Sequence, residues 1–186
     1  MPSHNIDMLH GPTLGKLLVF ALPLIASGVL QQSFNSADVA VAGRWAGSEA
    51  LAAVGSNGPV ISLIVNLFVG ISVGANVVIA RLLGQDDKAR VRRAVSTTAA
   101  VAVAGGLLLL VIGLAVSRPI LEWLDTPPEV LDLATLYLRI YSLGFPFMMI
   151  YNFGSAILRS FGDTRRPFYC LVAGGIINVA LNLLLV

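Results

Sequence analysis

The stretch Phe34-Asn35-Ser36-Ala37-Asp38 closes the first long apolar run of the chain and carries the only acidic residue attached to that run. Gln31, Asn35 and Asp38 recur at helical spacing, so a helix would place all three on one face. A carboxylate at the centre of a bilayer costs about 3 kcal/mol or more, so such a residue usually faces inward and serves a function. We therefore expect the other apolar segments to form walls around this polar face.

The composition predicts an integral membrane protein with several spans. The chain has 186 residues, of which 56% are hydrophobic and 12% are charged, and its mean hydropathy is +0.84. A soluble domain carries about twice that share of charge, which excludes the soluble globular class. The net charge of +2 is too small to indicate a nucleic-acid partner. The single cysteine, Cys170, excludes an internal disulfide.

Hydropathy divides the chain into a polar segment at residues 1–13 and a transmembrane helical domain at residues 14–186. Since about 20 residues cross the hydrocarbon, the sequence predicts an all-α bundle of five transmembrane helices. The spans cover about residues 14–38, 60–81, 94–116, 133–158 and 168–186. Between them we expect a polar turn and three loops, at residues 43–53, 81–93, 117–132 and 159–167.

Basic residues predict the orientation of the bundle. Lys16 and the loops after the second and fourth spans hold nine of the twelve Lys and Arg residues, whereas the two opposite loops hold only Arg44 and Arg118. Positive loops stay on the inner side of a membrane. We therefore predict a multi-pass protein of the plasma or inner membrane with a cytoplasmic N-terminus.

Two features of the first span have open interpretations. Pro23 removes one backbone hydrogen bond and is expected to kink the helix, either as a static bend or as a hinge. Asp38 lies about 36 Å along the axis from residue 14. It is therefore either an interfacial carboxylate or, if the helix tilts or begins below the membrane, a functional group inside the bundle.

The second span offers packing groups and no chemistry. Pro59 is expected to begin the helix, where its missing N–H is harmless. Gly70 and Gly74 form a Gly-x-x-x-Gly pair that permits close helix contact. Asn66 and Asn76 are interpreted as interhelical hydrogen-bond partners, with pore-lining groups as the alternative.

No catalytic constellation is apparent in the sequence. Both histidines, His4 and His10, precede the first span, and there is no zinc-binding His-Glu-x-x-His helix and no phosphate-binding loop. An intramembrane enzyme would need a paired nucleophile and base inside the bundle. We predict that the protein is not an enzyme and has no cofactor.

Several motifs together resemble the MATE family, the multidrug and toxic compound extrusion transporters. The loop Arg159-Ser-Phe-Gly-Asp-Thr-Arg-Arg-Pro167 is similar to that after the family's fourth helix, and Tyr137-Leu-Arg-Ile-Tyr-Ser-Leu-Gly-Phe-Pro146 is similar to that helix itself. The pair Pro23 and Asp38 matches the proline and carboxylate of the first helix. The second-helix pattern is matched by Leu51-Ala-Ala-Val-Gly55, Pro59, Gly70, Gly74 and Ile79-Ala-Arg-Leu-Leu-Gly84.

The resemblance implies most of the N-terminal lobe of a twelve-helix transporter that expels small organic cations in exchange for H⁺ or Na⁺. By that resemblance Asp38 is the cation-coupling carboxylate, a possible Na⁺ site lies near it, and Pro23 is the bending point. Many relatives have Asp where Asn182 stands, and Asn cannot titrate. The implied cavity residues are Gln31, Asn35, Asp38, Asn178 and Asn182.

Length leaves other functions open. The chain matches only the first five helices, so we expect a longer parent protein whose C-terminal lobe is the missing partner. One alternative is a truncated membrane fragment with no transport activity of its own. Another is a related flippase for lipid-linked sugars, which would want a basic cavity for phosphate. The spans contain little more than Arg139 near one end.

Overall fold

Six helices make up the fold. The computed structural model describes residues 13–45 and 47–185, and the regular elements within these residues are all helical. The helices are α1 (Thr13–Trp45), α2 (Gly47–Gly84), α3 (Lys88–Trp123), α4 (Pro128–Leu143), α5 (Phe145–Ser160) and α6 (Arg165–Leu185). The predicted all-α fold class is confirmed. The predicted segment at residues 1–13 lies, except for Thr13, outside the described residues.

Three of these helices are long and apolar enough to cross a membrane, at Leu17–Val41, Gly47–Gly84 and Lys88–Trp123. The bent pair α4 and α5 counts as a fourth crossing if it is one broken span. The fifth predicted span corresponds to α6, which is 21 residues long. The count of five crossings therefore stays a prediction. The long apolar helices nevertheless identify the chain as an integral membrane protein.

The packed centre of the bundle lies among α2, α3, α4 and α5, while α1 packs mainly on α6 and more lightly on α2. Two clusters of buried apolar side chains hold this centre together. One joins α2, α3 and α4 through Ala53, Val60, Leu121, Ala134 and Leu138. The other joins α3 to the start of α5 through Ala102, Leu109, Phe145, Met149 and Phe153.

The fourth predicted span breaks where the sequence carries Gly144 and Pro146. The two halves, α4 and α5, meet at Gly144 with a bend of 45°. Pro146 occupies the first turn of α5, where backbone N–H groups have no acceptor within the helix, so the missing N–H of proline costs no hydrogen bond. Gly106 of α3 lies against this corner, since a Cβ placed there would be 2.6 Å from the Pro146 Cα. The predicted interruption of this span is confirmed.

The predicted polar turn at residues 43–53 is wrong. Helix α1 continues to Trp45 and α2 begins at Gly47, whose φ of +85° suits glycine. Pro59 consequently lies inside α2 and does not begin it. The cause is that hydropathy marks the edge of the hydrocarbon, whereas a helix can continue into the polar region; here Glu49 in the first turn favours that extension.

The predicted charged loops are also much shorter than expected. Only residues 85–87 separate α2 from α3, and only residues 124–127 separate α3 from α4. Asp87 caps α3 by accepting a hydrogen bond from the Arg90 N–H at 3.0 Å. Arg118 of α3 bonds Asp132 of α4 at 3.1 Å across the other connection. Charged side chains therefore decorate helix ends that the hydropathy pattern assigns to loops.

The residues predicted to pack α2 against its neighbours have different outcomes. Added Cβ atoms at Gly70 and Gly74 would meet nothing within 4 Å, so the predicted close contact at this pair is wrong among the described residues. The interhelical role of Asn76 is confirmed, because its Nδ2 donates to the Ala156 carbonyl of α5 at 2.8 Å. Asn66, in contrast, is exposed.

Candidate functional site

A cavity of about 290 Å³ lies between α1, α5 and α6 and gathers most of the predicted site residues. Polar groups come from one face of α1, from Tyr151 of α5 and from α6. Its lining consists of Gln31, Phe34, Asn35, Asp38, Tyr151, Cys170, Leu171, Gly174, Gly175 and Asn178. Asp38 is the one carboxylate among these described lining residues.

Helix α1 supplies the polar stripe that the sequence predicts. Gln31, Asn35 and Asp38 all line the cavity, as their helical spacing requires. Asn178 of α6 joins them from the opposite wall. Asn182 belongs to the same helix, but its side chain lies outside the described part of the structure. The tertiary fold therefore brings together four of the five predicted cavity residues.

Asp38 lies inside the apolar segment Leu17–Val41 and is half-buried. Helix α1 runs on to Trp45, so Asp38 is not at the end of the helix. The same cavity is lined by Tyr151 of α5 and Asn178 of α6. The carboxylate thus faces a cavity between α1, α5 and α6.

Pro23 lies within α1, and the helix continues on both sides of it. The carbonyl oxygen of Pro23 accepts a hydrogen bond of 2.7 Å from the Ser27 hydroxyl. A hydroxyl bond of this kind often bends a helix locally. The choice between a static bend and a hinge stays open at this proline.

Helices α1 and α6 meet at the wall of the cavity through Phe34 and Gly175. A Cβ placed on Gly175 would overlap the ring atoms Cε2, Cζ and Cδ2 of Phe34. Gly175 is buried by this ring, whereas Gly174 beside it has open space. The missing side chain at Gly175 lets α1 approach α6 closely enough to form the cavity.

Sequence reasoning missed the row of aromatic rings on α4 and the cavity residue Tyr151 of α5. Tyr137, Tyr141 and Phe145 follow each other at intervals of one helical turn, with ring centroids 6.2 Å and then 5.7 Å apart. Tyr151 lines the cavity directly, and its hydroxyl donates to the Pro167 carbonyl at 3.3 Å. The signal was present as tyrosines at i and i+4, but their direction depends on how α4 packs.

The cavity can hold a cation through one carboxylate and several amide oxygens. No group of three or more His, Cys, Asp or Glu side chains capable of binding a metal occurs in residues 13–45 and 47–185. Asn35, Asn178 and Gln31 nevertheless offer neutral oxygen ligands next to Asp38. Such a set suits a proton or a weakly held monovalent ion better than a transition metal.

The family model described as MatE matches residues 23–184. The chain belongs to the MATE family. The protein named probable multidrug resistance protein YoeA from Bacillus subtilis (strain 168) is 34% identical over 163 residues, which cover 88% of this chain and 35% of that relative. Since MATE proteins are transporters and not enzymes, the prediction that this chain is not an enzyme is confirmed.

Solved structures of MATE proteins share the fold. The structure titled MATE in the straight conformation has a TM-score of 0.87 and 27% identity to this chain. The match covers 97% of this chain and 40% of the chain in that structure. The structure titled MATE in the bent conformation has a TM-score of 0.86 and 28% identity to this chain. That match covers 95% of this chain and 39% of the chain in that structure. This MATE chain therefore spans about 40% of the length of those structures.

Proposed function

We propose that this MATE chain forms the N-terminal part of a secondary efflux transporter, which exports small organic cations by antiport with H⁺ or Na⁺. The observation that carries the proposal is the cavity in which Asp38 meets Asn35, Asn178 and Gln31. A lone carboxylate on an otherwise apolar helix is costly to keep charged, so it is suited to exchange one cation for another. Multidrug resistance names among the relatives support the substrate class.

In the proposed cycle, Asp38 is ionised while its cavity is open to water and then takes up H⁺ or Na⁺. Neutralising the carboxylate removes the cost of a buried charge and allows α1 to repack against α6. Pro23 provides the bending point, because its missing N–H already weakens the backbone ladder of α1. Drug and ion then compete for one cavity, which gives exchange.

The choice between H⁺ and Na⁺ depends on the partners of Asp38. Asn178 and Asn182 cannot titrate, so Asp38 alone would carry a proton among the five predicted cavity residues. Na⁺ would use the Asp38 carboxylate together with amide oxygens of Asn35 and Asn178, all of which line the cavity. No cofactor is needed for either ion.

The lipid bilayer and a C-terminal lobe are the other proposed partners. A second lobe would supply the opposite wall of a central cavity. We propose a plasma or inner membrane location with the N-terminus in the cytoplasm, because Arg81, Arg159 and the first turns of α3 and α6 gather basic residues at one end of the bundle.

The test compares dye or drug efflux by the full-length protein with that of Asp38→Asn in everted vesicles. Asp38→Asn should lower ion-coupled efflux at least tenfold while the protein still reaches the membrane. Asp125→Asn is the matched control, because Asp125 is exposed in a turn at φ +51°, which Asn tolerates. Efflux by Asp38→Asn at the rate of the control would overturn the proposal.

The same assay separates the alternatives. A flippase for lipid-linked sugars would need cationic groups for phosphate, and the described lining of the cavity contains no Lys or Arg. Absence of efflux from the full-length protein in every ion gradient would overturn the transport proposal, whereas efflux by the full-length protein but none by residues 1–186 alone would favour the fragment without transport activity of its own. An imposed Na⁺ gradient at constant pH, compared with a pH gradient without Na⁺, identifies the coupling ion.

A further inference from the structure

A second and larger cavity, of about 570 Å³, lies at the basic end of the bundle. The end of α2, the first turns of α3 and the turn after α5 enclose it. Its lining consists of Leu83, Asp86, Asp87, Lys88, Val91, Arg92, Val95, Ser96, Ala99 and Phe161. None of these residues lines the cavity around Asp38.

The interior of this groove is apolar, and its mouth is charged. Val91, Val95 and Ala99 follow at intervals of one turn along α3, so they form one continuous apolar strip. Leu83 and Phe161 close the sides. From Val91 to Ala99 the strip is about 12 Å long. An unbranched hydrocarbon chain fits a groove of this shape and polarity.

The mouth of the groove carries one more basic than acidic charge once the pair of Asp87 and Arg90 is set aside. Asp87 pairs with Arg90 at 3.1 Å, so its charge is already compensated. Lys88 and Arg92 are exposed and make no ion pair with any residue in the described ranges. Asp86 contributes one negative charge against the two positive charges of Lys88 and Arg92, so the mouth has a net charge of about +1.

We propose that this groove is a binding site for one anionic phospholipid of the surrounding bilayer. Lys88 and Arg92 would contact the phosphate, and the strip from Val91 to Ala99 would hold the first part of an acyl chain. The charges at the mouth and the apolar depth are together complementary to that ligand. Basic side chains at the inner surface attract anionic lipids in this way. The site is independent of the role proposed for Asp38.

The experiment is native mass spectrometry of the full-length protein in detergent, titrated with phosphatidylglycerol or phosphatidylcholine of the same chains. Wild type should retain phosphatidylglycerol at least fivefold more than phosphatidylcholine. The double variant Lys88→Gln with Arg92→Gln should lose that preference. Ala99→Phe, which fills the apolar end without changing charge, should weaken binding of both lipids.

The matched control is Arg93→Gln with Arg165→Gln, since both arginines are exposed at the same end and line no part of the groove. It removes the same charge and should keep the preference. Equal retention of the two lipids by wild type, or equal losses in the two double variants, would overturn the proposal.

Two measurements on wild type need no variant. Short dihexanoyl phosphatidylglycerol should bind at least fivefold less than the dioleoyl form, because its chains cannot follow the strip. Displacement of the lipid by millimolar glycerol phosphate would indicate a soluble anion site instead. Failure of dioleoyl phosphatidylglycerol to bind would mean that the groove is covered by protein, and would also overturn the proposal.

Discussion

The aromatic ring of Phe34 lies directly over Gly175, with no room for even one methyl group between α1 and α6. Phe34 is one turn before Asp38, and both residues line the same cavity. Because close-packed interfaces respond to changes as small as one methylene, this contact determines how far α1 stands from α6. The position of the carboxylate is therefore coupled to a packing contact that has no charge.

Substituting Gly175 by Ala should destabilise the protein and disturb the cavity. The added methyl would overlap three ring atoms of Phe34, so either the ring or the helix must move. Overpacking of this kind costs about 1–3 kcal/mol. Thermal unfolding in detergent would measure the loss, and efflux would report on the cavity.

Gly174→Ala is the control for that substitution, because an added Cβ there meets nothing within 4 Å. It should leave stability unchanged. The double variant Phe34→Leu with Gly175→Ala should recover part of the lost stability. Equal losses of stability in Gly174→Ala and Gly175→Ala would contradict the packing argument.

Gly106→Ala should be more damaging than Gly105→Ala. A Cβ at Gly106 would be 2.6 Å from the backbone Cα of Pro146, which cannot move without shifting the corner between α4 and α5. At Gly105 the nearest atom is the flexible end of Met149, at 3.0 Å. We expect a loss of about 2–3 kcal/mol for Gly106→Ala and less than 1 kcal/mol for Gly105→Ala. Unfolding curves of the two variants under the same conditions measure both losses of stability. A larger loss for Gly105→Ala than for Gly106→Ala would contradict the prediction.

Asn57→Ala should weaken the attachment of α2 to α4. The buried Nδ2 of Asn57 donates to the carbonyls of Ala53 at 2.8 Å and Ala134 at 3.0 Å. Losing a buried amide and its bonds costs about 1–3 kcal/mol. Asn66→Ala, an exposed position on the same helix, should have no measurable effect. An equal fall in the unfolding temperatures of the two variants would argue against the interhelical bond.

Pro23→Ala should slow efflux without unfolding the protein. The alanine N–H can complete the backbone bond to the Val19 carbonyl, which stiffens α1 where we propose that it bends. Ser27→Ala is the control, because it removes only the hydroxyl bond to the Pro23 carbonyl. An efflux rate several-fold below that of the control is expected. Unchanged transport in Pro23→Ala would restore the static-bend interpretation.

Much of the candidate site was predictable because its polar residues lie on one helix. Gln31, Asn35 and Asp38 share a face by spacing alone, and they do line one cavity. Asn57, by contrast, falls between the predicted turn at residues 43–53 and the predicted span that begins at residue 60, so its buried bond to Ala134 could not be foreseen. Hydropathy indicates where the hydrocarbon region ends, but it does not indicate where a helix ends.

The sequence by itself determined the membrane class, the helical content, the break at Gly144 and the polar stripe of α1. These follow from local properties: apolar run length, glycine and proline geometry, and the 3.6-residue period. Only the tertiary structure decided that Tyr151 lines the cavity with Asp38 and that Phe34 covers Gly175. Contacts between helices depend on how far each helix is rotated and how closely it approaches its neighbour, and packing of the whole bundle sets both quantities.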